Sequence, residues 1–338
     1  MATYYVDGAV GNDSNGGTSQ GAGNAWATLA KAAATLANGD ICYVKATGVY
    51  PISAPVSFNA GSGSVLYYSA TRVIGYATTP GDNGRATVQR SSGSSFTMLD
   101  VIGNGWTLEN FIVDGASGTA IRGVSLGGYS NALINSKVLN CTNSGVAVAG
   151  NHTAMIRCEV TACSGGSAAV RAEGAIGTEI FGCYIHGNTV TGIYTNTGAP
   201  HVVSHCVLAA NTGASSDGIE VTTYPVSIRN CVCYGNGRDG LRVSTFWIIG
   251  QITNNIFGSN SGYGLNAAAM SPGRVDPRCD YNVYWNNGGG EWNNVLGGPH
   301  DVGLSGNPFT NAAGGDFTLN NIAGAGAACR GAGFPGQL

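Results

Sequence analysis

Charged side chains are scarce: Asp, Glu, Lys and Arg make up only 10% of the 338 residues, against about a quarter in an ordinary soluble protein. Lysine is nearly absent, confined to Lys31, Lys45 and Lys137. With a net charge of −3 and no basic cluster, the chain has nothing to neutralise phosphates, so nucleic acid is not an expected partner. No apolar run reaches the roughly 18 residues that a membrane-crossing helix requires, so no membrane association is expected. The opening residues, Met1 to Asp7, lack the basic stretch and apolar core of an export signal. Synthesis in the cytosol without a standard signal peptide is the expectation. No Cys-x-x-Cys pair occurs and no histidine is spaced for zinc, so no metal site and no cofactor are expected.

What the chain has is glycine, 55 residues of it, and repetition. From Asn110 to Asn287 a seven-residue phrase recurs eight times: NFIVDGA, SKVLNCT, CEVTACS, CYIHGNT, CVLAANT, CVCYGNG, NIFGSNS and NVYWNNG. The copies begin at Asn110, Ser136, Cys158, Cys183, Cys206, Cys231, Asn255 and Asn282, in steps of 26, 22, 25, 23, 25, 24 and 27 residues. The third position (Ile112, Val138, Val160, Ile185, Leu208, Cys233, Phe257, Tyr284) is apolar nearly throughout; the sixth becomes asparagine in Asn188, Asn211, Asn236, Asn260 and Asn287. A period of 20–30 residues marks a solenoid. No single copy can bury its own apolar face, so the copies must stack.

A second phrase follows each middle copy: GVAV from Gly145, AVRA from Ala169, GIYT from Gly192, GIEV from Gly218, GLRV from Gly240 and GLNA from Gly264. The glycine reads as a turn, the aliphatic after it as inward and the next residue as outward, by strand alternation. Short strands with no helix between them predict an all-β fold, a single-stranded parallel β-helix with like residues about 4.8 Å apart on successive coils. On these phrases, the Asn ladder and the Cys or aliphatic ladder, the chain resembles the pectate-lyase-like right-handed parallel β-helix superfamily. Its members include phage tail and virion proteins as well as polysaccharide-active enzymes. The resemblance implies a right-handed coil and leaves the activity open, because such a scaffold carries many functions.

The expected organisation is one continuous domain: an N-terminal cap with irregular first coils (1–105), regular repeats (106–290) and a C-terminal loop and cap (291–338). Trp26 to Leu36 predicts a capping helix with Trp26, Leu29, Ala30, Ala33 and Leu36 on one face, Asn24 as N-cap and Asn38-Gly39 as stop. Tyr4–Val6, Asp40–Lys45, Val65–Tyr68, Arg72–Tyr76, Ala86–Gln89, Met98–Ile102 and Asp316–Leu319 read as strands, and Gly288–Asn307 as a loop. The repeated cysteines, Cys158, Cys183, Cys206 and Cys231 in one column and Cys141 and Cys163 in another, are expected as buried thiols packing like small apolar residues.

The outward column of the second phrase runs Ala147, Arg171, Tyr194, Glu220, Arg242 and Asn266, with Asp217 and Asp239 at equivalent positions one turn apart and Glu173 two places beyond Arg171. In so uncharged a chain this patch is the candidate site. Were the protein an enzyme, Asp217 and Asp239 would be the acid and base, assisted by Glu220 and Arg242; two carboxylates one coil apart approach the separation of a retaining glycosidase pair. Arg171, Glu173, Tyr194 and Trp247 are the candidate carbohydrate contacts, with Tyr224 and Phe246 as further aromatics. Alternating Arg and Glu is also ordinary cross-strand pairing, and no catalytic motif of a pectate lyase or polygalacturonase is matched. Two readings follow. One is a non-enzymatic structural or adhesive protein of a phage virion, in the tail or as a capsid decoration, touching host glycans. The other is a polysaccharide lyase or glycoside hydrolase, for which the resemblance implies calcium if it is a lyase. Expected partners are a polysaccharide or other virion subunits, including further copies of the chain, at a virion or extracellular surface.

Overall fold

The computed structural model describes residues 1–59, 70–174, 176–196, 200–222, 226–244, 250–269, 274–275 and 279–333. They fall into two compact units, Met1–Tyr184 and Ile185–Leu338. Each unit is a parallel β-solenoid in which a coil gives one short strand to each of three sheets. In the first unit, Ala132–Ile134 pairs with Trp106–Glu109 and Ala154–Ile156. Lys137–Leu139 pairs with Phe111–Asp114 and Glu159–Thr161, and Ser144–Val148 with Arg122–Leu126 and Ala168–Glu173. In the second unit, Val226–Arg229, Val232–Tyr234 and Leu241–Val243 make the same cycle with the coils beside them.

The seven-residue phrase is a strand between two corners. Its second to fourth residues form the strand of one sheet, with the third buried from Val138 to Tyr284. Left-handed residues bracket that strand: Arg157 and Ala162 around Glu159–Thr161, and Asn230 and Gly235 around Val232–Tyr234. Such a conformation costs a non-glycine residue roughly 1–2 kcal/mol. The first and sixth residues turn inward at the corners and bond neighbouring coils. In the second unit, Asn188 Nδ2 donates to Asn211 Oδ1 at 2.9 Å, Asn211 to Asn236 at 3.0 Å, Asn236 to Asn260 at 2.9 Å and Asn260 to Asn287 at 2.9 Å. This is the asparagine ladder expected from the sixth position. The first position bears a second ladder, Asn255 to Asn282 at 3.0 Å. The cysteines in these columns are buried thiols. They also act as polar rungs, Cys158 Sγ donating to Leu133 O at 3.4 Å much as Asn255 Nδ2 donates to Ile228 O at 3.0 Å.

Several expectations are corrected. The first copy begins at Phe111, not Asn110: Lys137 faces Ile112 and Val138 faces Val113, so Phe111 and Val113 are buried and Ile112 is half-exposed. Three apolar residues in a row hid the one-residue slip that inverts a strand. The glycine of the second phrase is not a turn. Gly145 and Gly192 lie inside strands without positive φ, and a Cβ on Gly218 would stand 2.5 Å from Gly240 O and 3.0 Å from Asn236 Nδ2. Glycine is there because a ladder side chain and a carbonyl occupy the space. The helix is shorter, Leu29–Thr35, with Thr28 as N-cap accepting from the Lys31 N–H. Asn24 is not its cap, because Trp26 is held in a parallel bridge to Val6; Ala32 takes the buried place expected of Ala30.

The early coils are registered after all: Val49–Ile52 pairs with Ala86–Arg90, and Val56–Phe58 with Thr97–Val101. The 38-residue step from Val49 to Thr87 disguised the period. The stretch expected as the Gly288–Asn307 loop contains strands Gly290–Asn293, Val295–Leu296 and Val302–Gly303, a further coil whose phrase is lost. Asp316–Leu319 is a strand, antiparallel to Phe309–Asn311. The strand expected at Val65–Tyr68 lies outside the described residues.

Candidate functional site

In the second unit, strand register sets Tyr194, Glu220, Arg242, Asn266 and Asn293 in one outward row of the sheet that contains Thr191–Asn196. Tyr194, Glu220 and Arg242 are half-buried, whereas Asn266 is buried. In the first unit, Ala147 and Arg171 are likewise in register, behind Asp100 and Ser125. Ala147 is buried despite facing outward. Arg171 pairs with Glu173 on its own strand, neutralising both. Trp247, with Tyr224 and Phe246, lies outside the described residues.

Asp217 and Asp239 sit below this row, with no accessible surface to speak of. Each precedes a strand, where the corner leaves backbone N–H groups without a sheet partner. Asp217 N–H donates to Thr191 Oγ1 at 3.2 Å, Asp239 N–H to Asp217 Oδ1 at 3.0 Å, and Tyr263 N–H to Asp239 Oδ1 at 2.8 Å. The two carboxylates are thus rungs of a third corner ladder. Arg238 grips Asp217 with a fork, Nε on Oδ1 at 2.8 Å and Nη2 on Oδ2. Asn266 Nδ2 and Arg242 Nη1 reach the remaining oxygen of Asp239 at 2.8 and 3.5 Å. Glu220 lies 3.7 Å from Arg238 and 3.8 Å from Arg242, and accepts from Ser244 Oγ at 3.3 Å. Three carboxylates against two guanidiniums leave the cluster one negative charge.

Burial pushes the Asp217 carboxyl above the ordinary carboxylate range, against the pull of Arg238 and the Asp239 N–H. The same ion pair holds the Arg238 guanidinium above its own usual value. A raised carboxyl is what a general acid needs, but both Asp217 oxygens face protein donors and neither faces a substrate. Calcium requires six or more oxygen ligands; the oxygens of Asp217 and Asp239 are occupied by N–H donors, so these residues do not fit that ion. Among the described residues no group of three or more His, Cys, Asp or Glu side chains is gathered to hold a metal.

Sequence reasoning brought Asp217, Asp239, Glu220 and Arg242 together correctly and missed Arg238. The signal was available, since Arg238 directly precedes Asp239 and stands 21 residues after Asp217. It went unread because Arg238 belongs to neither phrase.

Residues 122–273 match the family described as the right handed beta helix region. No curated protein matches the chain. Among solved structures the fold is similar to that of pectate lyase Pel9A, at 16% identity over 92% of this chain and 83% of that one, with a TM-score of 0.65. It is also similar to ORF18 of Geobacillus virus E2, at 15% identity over 80% of this chain and 56% of that one (TM-score 0.60). The Dettilon tailspike protein matches at 12% identity over 82% of this chain and 57% of that one (TM-score 0.55). The chain spans a little over half the length of these two viral proteins. At such identities the likeness is one of fold.

Proposed function

We propose that this right-handed parallel β-helix is a non-enzymatic structural and adhesive component of a phage virion, in the tail or as a decoration, whose outward sheet face contacts surface glycans. One observation carries the reading: the oxygens of Asp217 and Asp239 are spent on backbone N–H groups, Asn266 and two arginines. A general acid–base pair needs a lone pair or proton within reach of the substrate, and here such a pair would first have to dismantle a corner of the coil. The fold likeness to a viral ORF18 and a tailspike protein supports a place on a virion. Half-buried Tyr194, Glu220 and Arg242, with Arg171 and Glu173 in the first unit, offer the aromatic and polar edges that sugar rings take.

The fold likeness to a pectate lyase favours the second reading, a polysaccharide lyase or glycoside hydrolase using Asp217 and Asp239. One experiment separates them. The purified protein is incubated with a panel of bacterial and plant polysaccharides, assayed for new reducing ends and for the unsaturated product of β-elimination, and tested for retention on the immobilised glycans. Retention without turnover is expected. Turnover by the wild type that disappears in a folded Asp217→Asn/Asp239→Asn variant would overturn the proposal.

A further inference from the structure

Within the two units three pairs of cysteines stand one coil apart at inner corners: Cys141 with Cys163 and Cys158 with Cys183 in the first, and Cys206 with Cys231 in the second. All six are buried, and the two thiols of each pair are hydrogen-bonding neighbours. Cys158 N–H lies 3.5 Å from Cys183 Sγ, so the Cys183 side chain leans toward the coil of its partner. Strands in a sheet lie about 4.8 Å apart, inside the roughly 4.4–6.8 Å that disulfide-bonded Cα atoms span. The remaining cysteines lack this arrangement. Cys42 faces Tyr4 and Val73, Cys233 faces Leu208 and Phe257, and Cys279 faces Ile252.

The same corner positions carry asparagine in Asn211, Asn236, Asn255 and Asn260. There each side chain makes an amide-to-amide rung and a bond to a strand carbonyl, while the backbone N–H reaches the next amide. The cysteine rungs are held by S–H contacts to carbonyls at 3.3–3.6 Å, which are weaker bonds. The corners that carry them are therefore the loosely laddered ones, each pair with two sulfurs stationed across the gap.

We propose that these three pairs form a redox latch, dithiol in reducing surroundings and closed into inter-coil disulfides on meeting a small-molecule disulfide in an oxidising medium. One cysteine, as thiolate, attacks the reagent's S–S bond, giving a mixed disulfide and releasing one small thiol. Its neighbour, as thiolate, attacks the protein sulfur of the mixed disulfide, closing the Cys–S–S–Cys bond and releasing the second. Two protein thiols are oxidised, one small disulfide is reduced to two thiols, and the two protons pass to the leaving thiolates. The latch would let the chain fold as thiols and harden once exported or released.

The test treats the native protein with oxidised glutathione below its unfolding temperature, alkylates the remaining thiols in denaturant, and identifies linked peptides by mass spectrometry. Linkages 141–163, 158–183 and 206–231 are expected, with a rise in Tm that dithiothreitol reverses. Cys158→Ser/Cys183→Ser should keep the fold and lose one linkage and part of that rise. Serine suits this corner, because Ser136 already accepts the Phe111 N–H there at 3.1 Å and donates to Ile134 O at 2.8 Å. Alkylation of all six thiols, linkage through Cys329 alone, or a scrambled set of linkages would each overturn the proposal.

Discussion

Asn211 makes four side-chain-mediated bonds in the dry interior. Its Nδ2 donates to Ile185 O and Asn236 Oδ1, its Oδ1 accepts from Asn188, and its own N–H reaches Asn236 Oδ1. Leucine fills the volume, loses the three bonds of the side chain and keeps only the backbone N–H bond to Asn236 Oδ1. Asn211→Leu is expected to cost on the order of 1–3 kcal/mol, read as a fall in the urea midpoint; an unchanged midpoint would refute a working ladder. Arg238 tests the other corner. Asp217 is fully buried and Arg238 only partly so, so Arg238→Met strands a carboxylate without its fork. A loss of roughly 3–5 kcal/mol is expected, and Arg238→Met with Asp217→Asn should recover part of it. Recovery in that double variant, measured by chemical denaturation, would separate a structural role for Asp217 from a catalytic one.

The repeating element is a strand held between two left-handed corners, and its glycines are of two kinds. Gly235 occupies the left-handed corner with φ 65° and has nothing within 4 Å of an added Cβ. Gly218 has an ordinary φ and no room, with Gly240 O 2.5 Å away. Gly235→Ala should therefore cost about 1–2 kcal/mol, the price of left-handed backbone. Gly218→Ala should cost roughly 3 kcal/mol, the upper range for overpacking, because two coils must part. Thermal unfolding of the two variants side by side decides whether this order holds. The asymmetry also explains why phrase spacing located the strands well and misread the glycine: both kinds look alike in sequence, and only the neighbouring coil distinguishes them.

Across the whole molecule, stability should depend on pH in two opposed ways. Asp7, Asp114 and Asp280 have carboxyls below the usual range. Burial alone would raise them, but hydrogen bonds outweigh it: Ala9 N–H, Thr47 and Lys45 on Asp7; Asn140, Ala116 N–H and Gln89 on Asp114; and His300 on Asp280. A depressed carboxyl contributes stability that is present above its unfolded value, about 3.9, and lost as pH falls through the folded value. Burial instead pushes Asp301 up, against the N–H groups of Asn282 and Gly298. Its contribution is full below about 3.9 and lost as pH rises through its folded value. Denaturation midpoints should therefore drop steeply below about pH 4. Asp301→Asn should remove its share of the stability gained as pH falls toward about 3.9, a gain to which the raised Asp217 carboxyl also contributes, and an unchanged profile would refute that assignment.

The sequence by itself determined the solenoid, its coils of short strands and its inward columns, because those follow from a period and an alternation that any observer of the chain can count; that each coil gives three strands to three sheets was decided by the tertiary structure. Val138 through Tyr284 had to be inside, and Asn188 through Asn287 had to share a corner. Tertiary structure alone decided what the charged residues do. Asp217 and Asp239 read, while the chain was a string, as part of a charged patch beside the outward column, an acid–base pair were the protein an enzyme, since a formal charge in so neutral a sequence suggests chemistry. Stacking one coil on the next brings the N–H of Asp239 onto Asp217 and that of Tyr263 onto Asp239, and folds Arg238 over the first. Those bonds join residues 21 to 24 positions apart, and they exist only once the backbone between has closed a full turn.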